Sequence, residues 1–414
     1  MLPVEHITEQ LWASAFATGD LRVTVDPAGD GWSDVERYWL VPNQRRAQLL
    51  LPRASSVIEA AAATHYRGLR RRHVNAIRSG GGVLARAGAP LGAHTARIQV
   101  RSDRPEAARR LPLALLAEEL DRSRLYASIG VRTGANRKAT LSLLDDDGAP
   151  VGYAKFGWNA IADGFVAKET EVLAALGGRS GAMRAPRLIG TLDYYGHPAL
   201  VTEPLPLDVV GAHLDVKPPT SKEFYSLTPV HRRSTAIGTQ HLVALQARLD
   251  ELGRLPLTKA AAGAAARLMD TVRADVTELP VTTLWHGDLS SWNAARDGSG
   301  TLWVWDWETA EEDVVAGLDP FHWTFSNHRL AHRDLAQVDL AACLAEVSPH
   351  LAAAGVPRSA WGLVAACYVL TVVERACALA VHSGSWEHLW INTDALLALV
   401  RQAEGLVHSS ERPR

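Results

Sequence analysis

Residues 286–293 read His-Gly-Asp-Leu-Ser-Ser-Trp-Asn, and residues 305–308 read Trp-Asp-Trp-Glu. Between them, residues 297–300 read Asp-Gly-Ser-Gly and separate two short apolar runs. Asp-Gly and Ser-Gly dipeptides between strand-like runs are typical of a β-hairpin, whose outer ends lie side by side. We therefore expect Asn293 and Asp306 to meet in space.

Together with Asp288 on the entering loop, these residues supply two carboxylates and an amide oxygen. Mg²⁺ prefers oxygen ligands and usually binds through one or two carboxylates plus substrate phosphates. In phosphoryl transfer, one Asp and one Asn hold the metal while a second Asp accepts the proton of the attacking hydroxyl. Asp288, Asn293 five positions later and then a strand-borne Asp306 follow the same logic. The combination favours a catalytic site over a plain turn.

These motifs resemble those of the aminoglycoside phosphotransferase and choline kinase superfamily, a branch of the protein-kinase-like fold. Protein kinases show His-Arg-Asp and Asp-Phe-Gly, whereas this chain has Gly287 before the Asp and Trp307-Glu308 after Asp306. The difference favours a small-molecule kinase. The resemblance implies that Asp288 is the catalytic base and that Asn293 and Asp306 are Mg²⁺ ligands.

The resemblance also implies an α+β, bilobal protein-kinase-like fold with a small β-rich N-lobe and a larger helical C-lobe. We assign residues 1–124 to an added N-terminal α+β module and 125–203 to the nucleotide-binding N-lobe. Residues 204–414 would form the helical C-lobe, which carries the catalytic hairpin.

Composition is that of an ordinary globular protein. Over 414 residues, 47% are hydrophobic and 21% are charged, which is ample for a large core. The formal net charge of −2 gives no electrostatic case for nucleic-acid or membrane binding.

The three cysteines have neither zinc-site nor disulfide spacing. We expect no signal peptide, no membrane span (the apolar run 361–373 is too short) and a cytoplasmic location.

Several helices are predicted outside the hairpin. Ser55-Ser56 is expected to open a helix, with a hydroxyl residue as its N-cap, that runs to Ile77 and ends before Gly80-Gly81-Gly82. A second helix is expected over 105–124. Two alanine-rich and leucine-rich patterns, 232–252 and 259–278, predict helices of the larger lobe.

A glycine-bearing turn with Gly130 and Gly134 joins two predicted strands of the N-lobe. Its backbone N–H groups are placed to cover phosphates, although the spacing is neither the kinase nor the Walker pattern. Lys155 ends the returning strand and is expected to hold the α- and β-phosphates while ion-paired to a helix Glu. Both Glu169 and Glu171 are candidates. The family pattern, Glu four residues before the first core Leu, selects Glu169.

The segment after the last N-lobe strand, from Glu203 to Leu207, reads as the hinge. We expect backbone groups of Glu203 and Leu205 to bind the adenine edge of ATP or GTP. Further along, Asp319-Pro320 predicts a helix start with an acidic N-cap, so capping is the expected role of Asp319.

Two features near the hairpin bear on the acceptor. One is a set of acidic residues that would suit a cationic acceptor: Glu308, Glu311, Glu312 and Asp313. The other is a set of tryptophans that would stack on sugar faces or fill the core: Trp292, Trp305, Trp307 and Trp323.

The sequence thus predicts an ATP-dependent and Mg²⁺-dependent kinase that phosphorylates a hydroxyl of a small molecule. The expected acceptor is an amino sugar, an aminoglycoside or a related sugar. The alternatives are a catalytically inactive kinase-like scaffold that binds a nucleotide, and a protein kinase. The chain lacks an evident activation segment between Asp306 and Asp319, which disfavours the latter.

Overall fold

The computed structural model describes residues 3–25, 27, 29–65, 72–131, 138–179, 181–211, 216–331, 338–387 and 389–410. The chain forms two compact units. The first unit comprises Met1–Arg179, Ala185–His213 and Ala295–Glu308, and the second comprises Ser180–Arg184, Leu214–Ala294 and Thr309–Arg414. Strands dominate the first unit and helices the second, so the predicted α+β class is confirmed. The division is consistent with a bilobal kinase-like fold.

The strands are β1 (Leu21–Thr24), β2 (Trp32–Val41), β3 (Leu49–Pro52), β4 (Thr95–Arg101), β5 (Tyr126–Gly130), β6 (Ala139–Leu144), β7 (Pro150–Phe156), β8 (Met183–Arg184), β9 (Leu188–Tyr194), β10 (His197–Thr202), β11 (Val210–Gly211), β12 (Val230–Ser234), β13 (Leu279–Trp285), β14 (Ala294–Arg296), β15 (Leu302–Val304) and β16 (Glu311–Val315).

The α-helices are α1 (Pro3–Ile7), α2 (Ala13–Phe16), α3 (Ser56–Thr64), α4 (Arg72–Arg86), α5 (Pro112–Glu119), α6 (Ala160–Leu176), α7 (Ser221–Phe224), α8 (Gln240–Gly253), α9 (Lys259–Ala274), α10 (Leu318–Ala331), α11 (Leu340–Ala353), α12 (Trp361–Ser383) and α13 (Thr393–Ser410). A π-helical turn (Thr8–Trp12) joins α1 to α2, and short 3₁₀ turns span Pro105–Arg110, Ala236–Gly238, Trp307–Thr309 and Arg358–Ala360.

Within the described residues, nine strands of the first unit form one antiparallel sheet in the order β1-β4-β2-β3-β5-β6-β7-β10-β9. Alternation explains why these segments are strands. In β6, Ala139, Leu141 and Leu143 are fully buried, while the residues between them are half-buried. Side chains two apart on a strand share a face, so one face of β6 lines the core of this unit.

The sheet continues from the predicted N-terminal module, 1–124, into the predicted N-lobe, 125–203. The junction is the pairing of β3 with β5, where Leu50 lies opposite Ile129. Both residues are fully buried in one hydrophobic core with residues from either side. The division of the chain into three domains stays a prediction.

The predicted helix from Ser55 to Ile77 differs from what the structure shows. Ser55 does cap α3, accepting a hydrogen bond from the Ile58 N–H, but α3 ends at Thr64. A separate helix, α4, then passes straight through Gly80-Gly81-Gly82, so the prediction that these glycines end a helix was wrong. A Cβ added at Gly82 would lie 2.3 Å from Thr64 Cγ2. Glycine therefore permits the close approach of α4 to α3.

Two other helices start later in the structure than the sequence predicts. In the 105–124 segment, a 3₁₀ turn precedes α5 because Pro112 lacks the N–H needed to continue a helix. In the 232–252 segment, Arg232 lies in strand β12, and α8 starts only after Thr239, whose hydroxyl accepts from the Leu242 N–H. The Arg232 guanidinium makes two hydrogen bonds to Asp313, at 2.7 and 2.6 Å, which hold β12 in place.

The core of the second unit surrounds α12. Among the described residues, the helical stretch Arg358–Ser383 is long and apolar enough to cross a membrane, but 78% of its most apolar window is buried inside the protein. The apolar run of the sequence stops at Val373, but the helix continues through Glu374. The Glu374 carboxylate accepts a hydrogen bond from Arg248 at 2.9 Å. A buried helix of this kind is weak evidence for a membrane. It is the core helix of the unit.

Candidate active site

Lys155 is the centre of a buried charge cluster in the first unit. It lies on β7, is only 6% exposed, and donates from Nζ to both carboxyl oxygens of Glu169, at 2.5 and 2.6 Å. Glu169 lies on α6, whose start is fixed by Asn159 because its side chain accepts from two N–H groups of the first turn. The competing Glu171 pairs instead with Lys168 at the surface, at 3.0 Å.

Asp306 completes this cluster, since its Oδ1 also accepts from Lys155 Nζ, at 2.5 Å. Burial disfavours the ammonium ion, but the charges of Asp306 and Glu169 outweigh it, so the pKa of Lys155 is raised. Lys155 is therefore charged at neutral pH. The two carboxylates fix the position of the Lys155 ammonium group, which can then bind an anionic ligand.

The backbone at Asp306 is unusual. Its φ is +65°, in the left-handed region that non-glycine residues seldom adopt. Residues in such conformations cluster at functional sites, because the surrounding structure must hold them there. Here the hairpin places Asp306 just after β15, and β14 and β15 are neighbouring strands, as predicted.

Three acidic side chains of this unit converge. Ligand atoms of Glu169, Asp306 and Glu308 lie within 4.8 Å of one another, a group that the described residues offer to a metal ion. However, the Lys155 ammonium already contacts Glu169 and Asp306, and Glu308 forms an ion pair with Lys138. The two lysine ammonium groups therefore neutralise this cluster, and we do not place a metal ion between all three carboxylates.

The predicted hinge differs from expectation at Glu203. Its backbone N–H donates to the Arg187 carbonyl at 2.8 Å, so that donor is not available to an adenine ring. The Glu203 side chain also pairs with Arg187, at 2.8 Å. In the described part of the chain the Glu203 carbonyl accepts no hydrogen bond and remains suitable for adenine. Leu205 is buried beside Val209 and Trp303.

The glycine turn is only partly described. Gly130 is the last residue of β5, and a Cβ added there would meet no atom within 4 Å. Gly134 lies outside the described residues. A role for either glycine in covering phosphates stays a prediction.

In the second unit, Asp319 shapes the loop that carries Asp288. Its carboxylate accepts from the backbone N–H groups of His286, at 2.9 Å, and Gly287, at 3.2 Å. Helix α10 begins at Leu318, so Asp319 lies inside the first turn and does not cap it. The capping role predicted for Asp319 was wrong. Its carboxylate instead fixes the backbone just before Asp288.

Gly287 is required by this loop. Its φ is +84°, and an added Cβ would lie 2.4 Å from the Thr309 carbonyl oxygen. Arg375 also donates to the Gly287 carbonyl. A larger residue at this position would displace the loop, which explains why the chain has Gly here.

Asn293 is oriented by Asp288. Its Nδ2 donates to the Asp288 carbonyl at 3.0 Å and to Asp288 Oδ2 at 2.9 Å. The amide nitrogen is thus directed at Asp288, and the amide oxygen accepts no hydrogen bond in the described residues. An oxygen of this type is a suitable Mg²⁺ ligand. Asp306 supplies a carboxylate, which is the other type of oxygen ligand that Mg²⁺ prefers.

His322 is a functional candidate that the sequence analysis missed. Its Nε2 lies 3.0 Å from Asp288 Oδ1, and its Nδ1 lies 3.2 Å from the Tyr368 hydroxyl. Burial would favour the neutral acid, but the hydrogen bond from His322 and the positive charges of His322, His286 and Arg375 outweigh it and lower the pKa of Asp288. The available signal was the spacing of three between Asp319 and His322, which places both on one face of α10.

The acidic residues predicted to bind a cationic acceptor are largely engaged within the protein. Glu311 accepts from Arg248, at 3.1 Å, and lies 3.0 Å from His241 Nδ1. Burial raises the pKa of Glu311, but His241 and the nearby arginines outweigh it and lower the pKa to about 2. Asp313 is bound to Arg232. This part of the case for a cationic acceptor is not supported.

The tryptophans near the hairpin divide into two groups. Trp307 and Trp323 are buried core residues. The half-buried Trp305 packs against the hydrophobic cluster that contains Leu205 and Trp303. Trp292 is half-buried, and the Arg329 guanidinium lies over its ring, 5.3 Å from the centroid. The same guanidinium lies 4.9 Å from the ring centroid of Trp390. Burial lowers the pKa of Arg329, and electrostatic interactions with Tyr368 and Asp288 act in the opposite direction.

The structure thus assembles the predicted residues in two groups. Lys155, Glu169 and Asp306 are joined in the first unit, whereas Asp288 and Asn293 are joined in the second. That Asn293 and Asp306 share one Mg²⁺ ion stays a prediction.

No protein-family model matches the chain, and no curated protein sequence matches it. Among solved structures, the chain is similar to the protein named LicA in its crystal structure with AMP, at 10% sequence identity and a TM-score of 0.39. That alignment covers 72% of this chain and 98% of LicA. A likeness at this TM-score carries no argument for a shared fold or activity.

Proposed function

We propose that the protein transfers the γ-phosphoryl group of ATP to a hydroxyl group of a small, sugar-like molecule. The observation that carries the proposal is the buried contact of one ammonium group, on Lys155, with both Glu169 and Asp306. A buried lysine is stable only when paired, and this pairing leaves it rigid and charged. A fixed positive charge beside a candidate metal ligand suits a triphosphate.

Each residue has a distinct role in this proposal. Lys155 orients the α- and β-phosphates, and Glu169 holds Lys155 in place. Asp288 orients the acceptor hydroxyl and accepts its proton, while His322 fixes the Asp288 carboxylate. Asn293 and Asp306 are the candidate ligands of Mg²⁺, which when bound would neutralise charge on the phosphates. Catalysis then consists of positioning and charge stabilisation rather than covalent chemistry.

A sugar-like acceptor is supported by the aromatic group formed by Trp292, Arg329 and Trp390. Flat aromatic faces pack against the C–H face of a sugar ring, and a guanidinium donates to its hydroxyl groups. Because Glu311 and Asp313 already pair with arginines or histidine, we place neutral sugars beside amino sugars and aminoglycosides as acceptors. The nucleotide proposed is ATP, with the Glu203 carbonyl accepting from the adenine amino group.

The test is incubation of the full chain with ATP, Mg²⁺ and a panel of amino sugars, neutral sugars, aminoglycosides, choline and protein acceptors. Mass spectrometry should find one added phosphoryl group on a sugar-like molecule. Stabilisation by Mg·ADP with no phosphorylated product would instead identify a nucleotide-binding scaffold. Phosphate appearing only on protein would identify a protein kinase. Either result would overturn the proposal.

A further inference from the structure

A cavity of about 940 Å³ lies in the first unit, away from every residue assigned to the candidate active site. Its walls come from β2, the end of β3, α5 and the start of β5. The volume falls within the range of roughly 300–1,000 Å³ that is usual for small-molecule sites. The cavity is therefore large enough to hold a metabolite.

The carboxyl group of Glu36 forms part of the cavity lining. Glu36 lies on β2 and accepts a 2.6 Å hydrogen bond from the Tyr38 hydroxyl through Oε2. The two side chains share a face of the strand because they are two residues apart. In the described part of the chain the other oxygen, Oε1, has no hydrogen-bond partner. Glu36 is half-buried, so this oxygen is open to a ligand.

Glu36 is only partly ionised at neutral pH. Burial raises the pKa of its carboxyl group to about 7, against the lowering effects of the Tyr38 hydrogen bond and the Arg124 charge. A protonated carboxyl group can both donate and accept a hydrogen bond. It can therefore bind a hydroxyl group and does not repel an anion.

Positive charge exceeds negative charge in the lining, where Glu118 adds one exposed carboxylate. Five arginines and three acids line the cavity. Of the acids, Asp34 is neutralised by Arg97. Arg109, Arg122 and Arg124 are solvent-exposed, and within the described ranges none of them has an ion-pair partner.

The lining also contains apolar side chains. Leu111, Leu113 and Leu125 line the cavity and are largely buried. A ligand that fits would combine a negative charge for the arginines, an apolar or C–H face for the leucines and a hydroxyl group for Glu36. Three unpaired guanidinium groups match a phosphate, which carries about −1.5 to −2 charges at neutral pH, better than a single carboxylate.

We propose that this cavity binds a small hydroxylated phosphate ester, whose phosphate pairs with Arg109, Arg122 and Arg124 and whose hydroxyl group bonds to Glu36. The site does not depend on the proposed kinase activity. It gives the N-terminal segment of the first unit a ligand-binding role of its own.

The test is isothermal titration of the full chain with glucose 6-phosphate, ribose 5-phosphate and glycerol 3-phosphate as probes. We expect at least one of them to bind more tightly than inorganic phosphate, and glucose without phosphate not to bind. The double variant Arg122→Ala/Arg124→Ala should weaken that binding by ~10-fold or more, as expected for lost charge-assisted hydrogen bonds. Glu36→Leu, which removes both the donor and the acceptor, should weaken the ester but leave the weaker binding of inorganic phosphate unchanged.

The matched control is Arg46→Ala, which removes an exposed arginine of the same unit that does not line the cavity. It should bind the ester like the wild type. Absence of binding for all three esters at millimolar concentration would overturn the proposal. So would binding that the cavity variants leave unchanged, since the ligand would then occupy another site. None of these readouts requires catalysis, so their failure is distinct from failure of the proposed kinase activity.

Discussion

The two groups of candidate catalytic residues are held in different ways. In the first unit, Lys155 is fixed by direct ion pairs to Glu169 and Asp306. In the second, Asp288 is fixed by hydrogen bonds from Asn293 and a close contact with His322. This difference predicts that substitutions in the first group reduce the stability of the fold, whereas substitutions in the second group reduce activity alone. Substitution in the first group unbalances buried charges, whereas an isosteric substitution in the second removes a function and leaves the fold intact.

The largest effect is expected for Asp288→Asn. The amide keeps the shape of the side chain but accepts no proton, so kcat should fall by ~10²–10⁴-fold, as for a lost general base. The melting temperature should stay close to that of the wild type. Steady-state kinetics with the acceptor found in the panel would measure the loss. Asp250→Asn, at an exposed position on α8, is the matched control and should keep full activity.

Lys155→Met, in contrast to Asp288→Asn, should reduce the stability of the fold. It leaves Glu169 and Asp306 adjacent without their shared cation, and removing one partner of a buried pair costs ~3–5 kcal/mol. Urea denaturation should show this loss, and the nucleotide should bind weakly. Adding Glu169→Leu should restore part of the stability without restoring activity. Lys168→Met, which removes a surface lysine of α6, should change little. Equal stability of the Lys155 and Lys168 variants would refute the comparison.

His322→Gln should have a smaller effect with a characteristic pH signature. His322 helps to lower the pKa of Asp288, so its removal should raise that pKa. A base must be deprotonated to act, hence the acidic limb of kcat/KM should move to higher pH, with ~10-fold lower kcat from the lost hydrogen bond to a charged group. His328→Gln, on the same helix but paired with Glu346, is the control. An unshifted acidic limb in His322→Gln would argue that this histidine is only structural.

Much of this organisation is readable from local sequence. The hairpin and the strand of Lys155 follow from turn residues and strand periodicity, whereas the choice of Glu169 over Glu171 comes from the family resemblance. The roles of His322 and Asp319 do not, because they depend on α10 packing against the 286–288 loop. The helix through Gly80-Gly81-Gly82 escaped prediction for a similar reason: the close packing of α4 on α3 outweighs the low helix propensity of glycine.

The acidic residues after Asp306 show the same limit. Their sequence suggested carboxylates available to a cationic acceptor, but Glu311 and Asp313 pair with Arg248 and Arg232 from distant parts of the chain. Partners brought together by tertiary structure determine whether a charge is available to a ligand. A sequence alone specifies the charge but not the partner.

The central claim, that Asn293 and Asp306 hold one Mg²⁺ on a nucleotide that Lys155 also binds, is tested most directly by a double-mutant cycle. The measurement is the affinity for ATP with and without Mg²⁺ in Asn293→Ala, Asp306→Asn and the combined variant. We predict that each single change abolishes most of the Mg²⁺-dependent gain and that the double change adds little, with a coupling energy of ~0.5–3 kcal/mol. Additive effects, within about 0.5 kcal/mol, would contradict a shared metal ion.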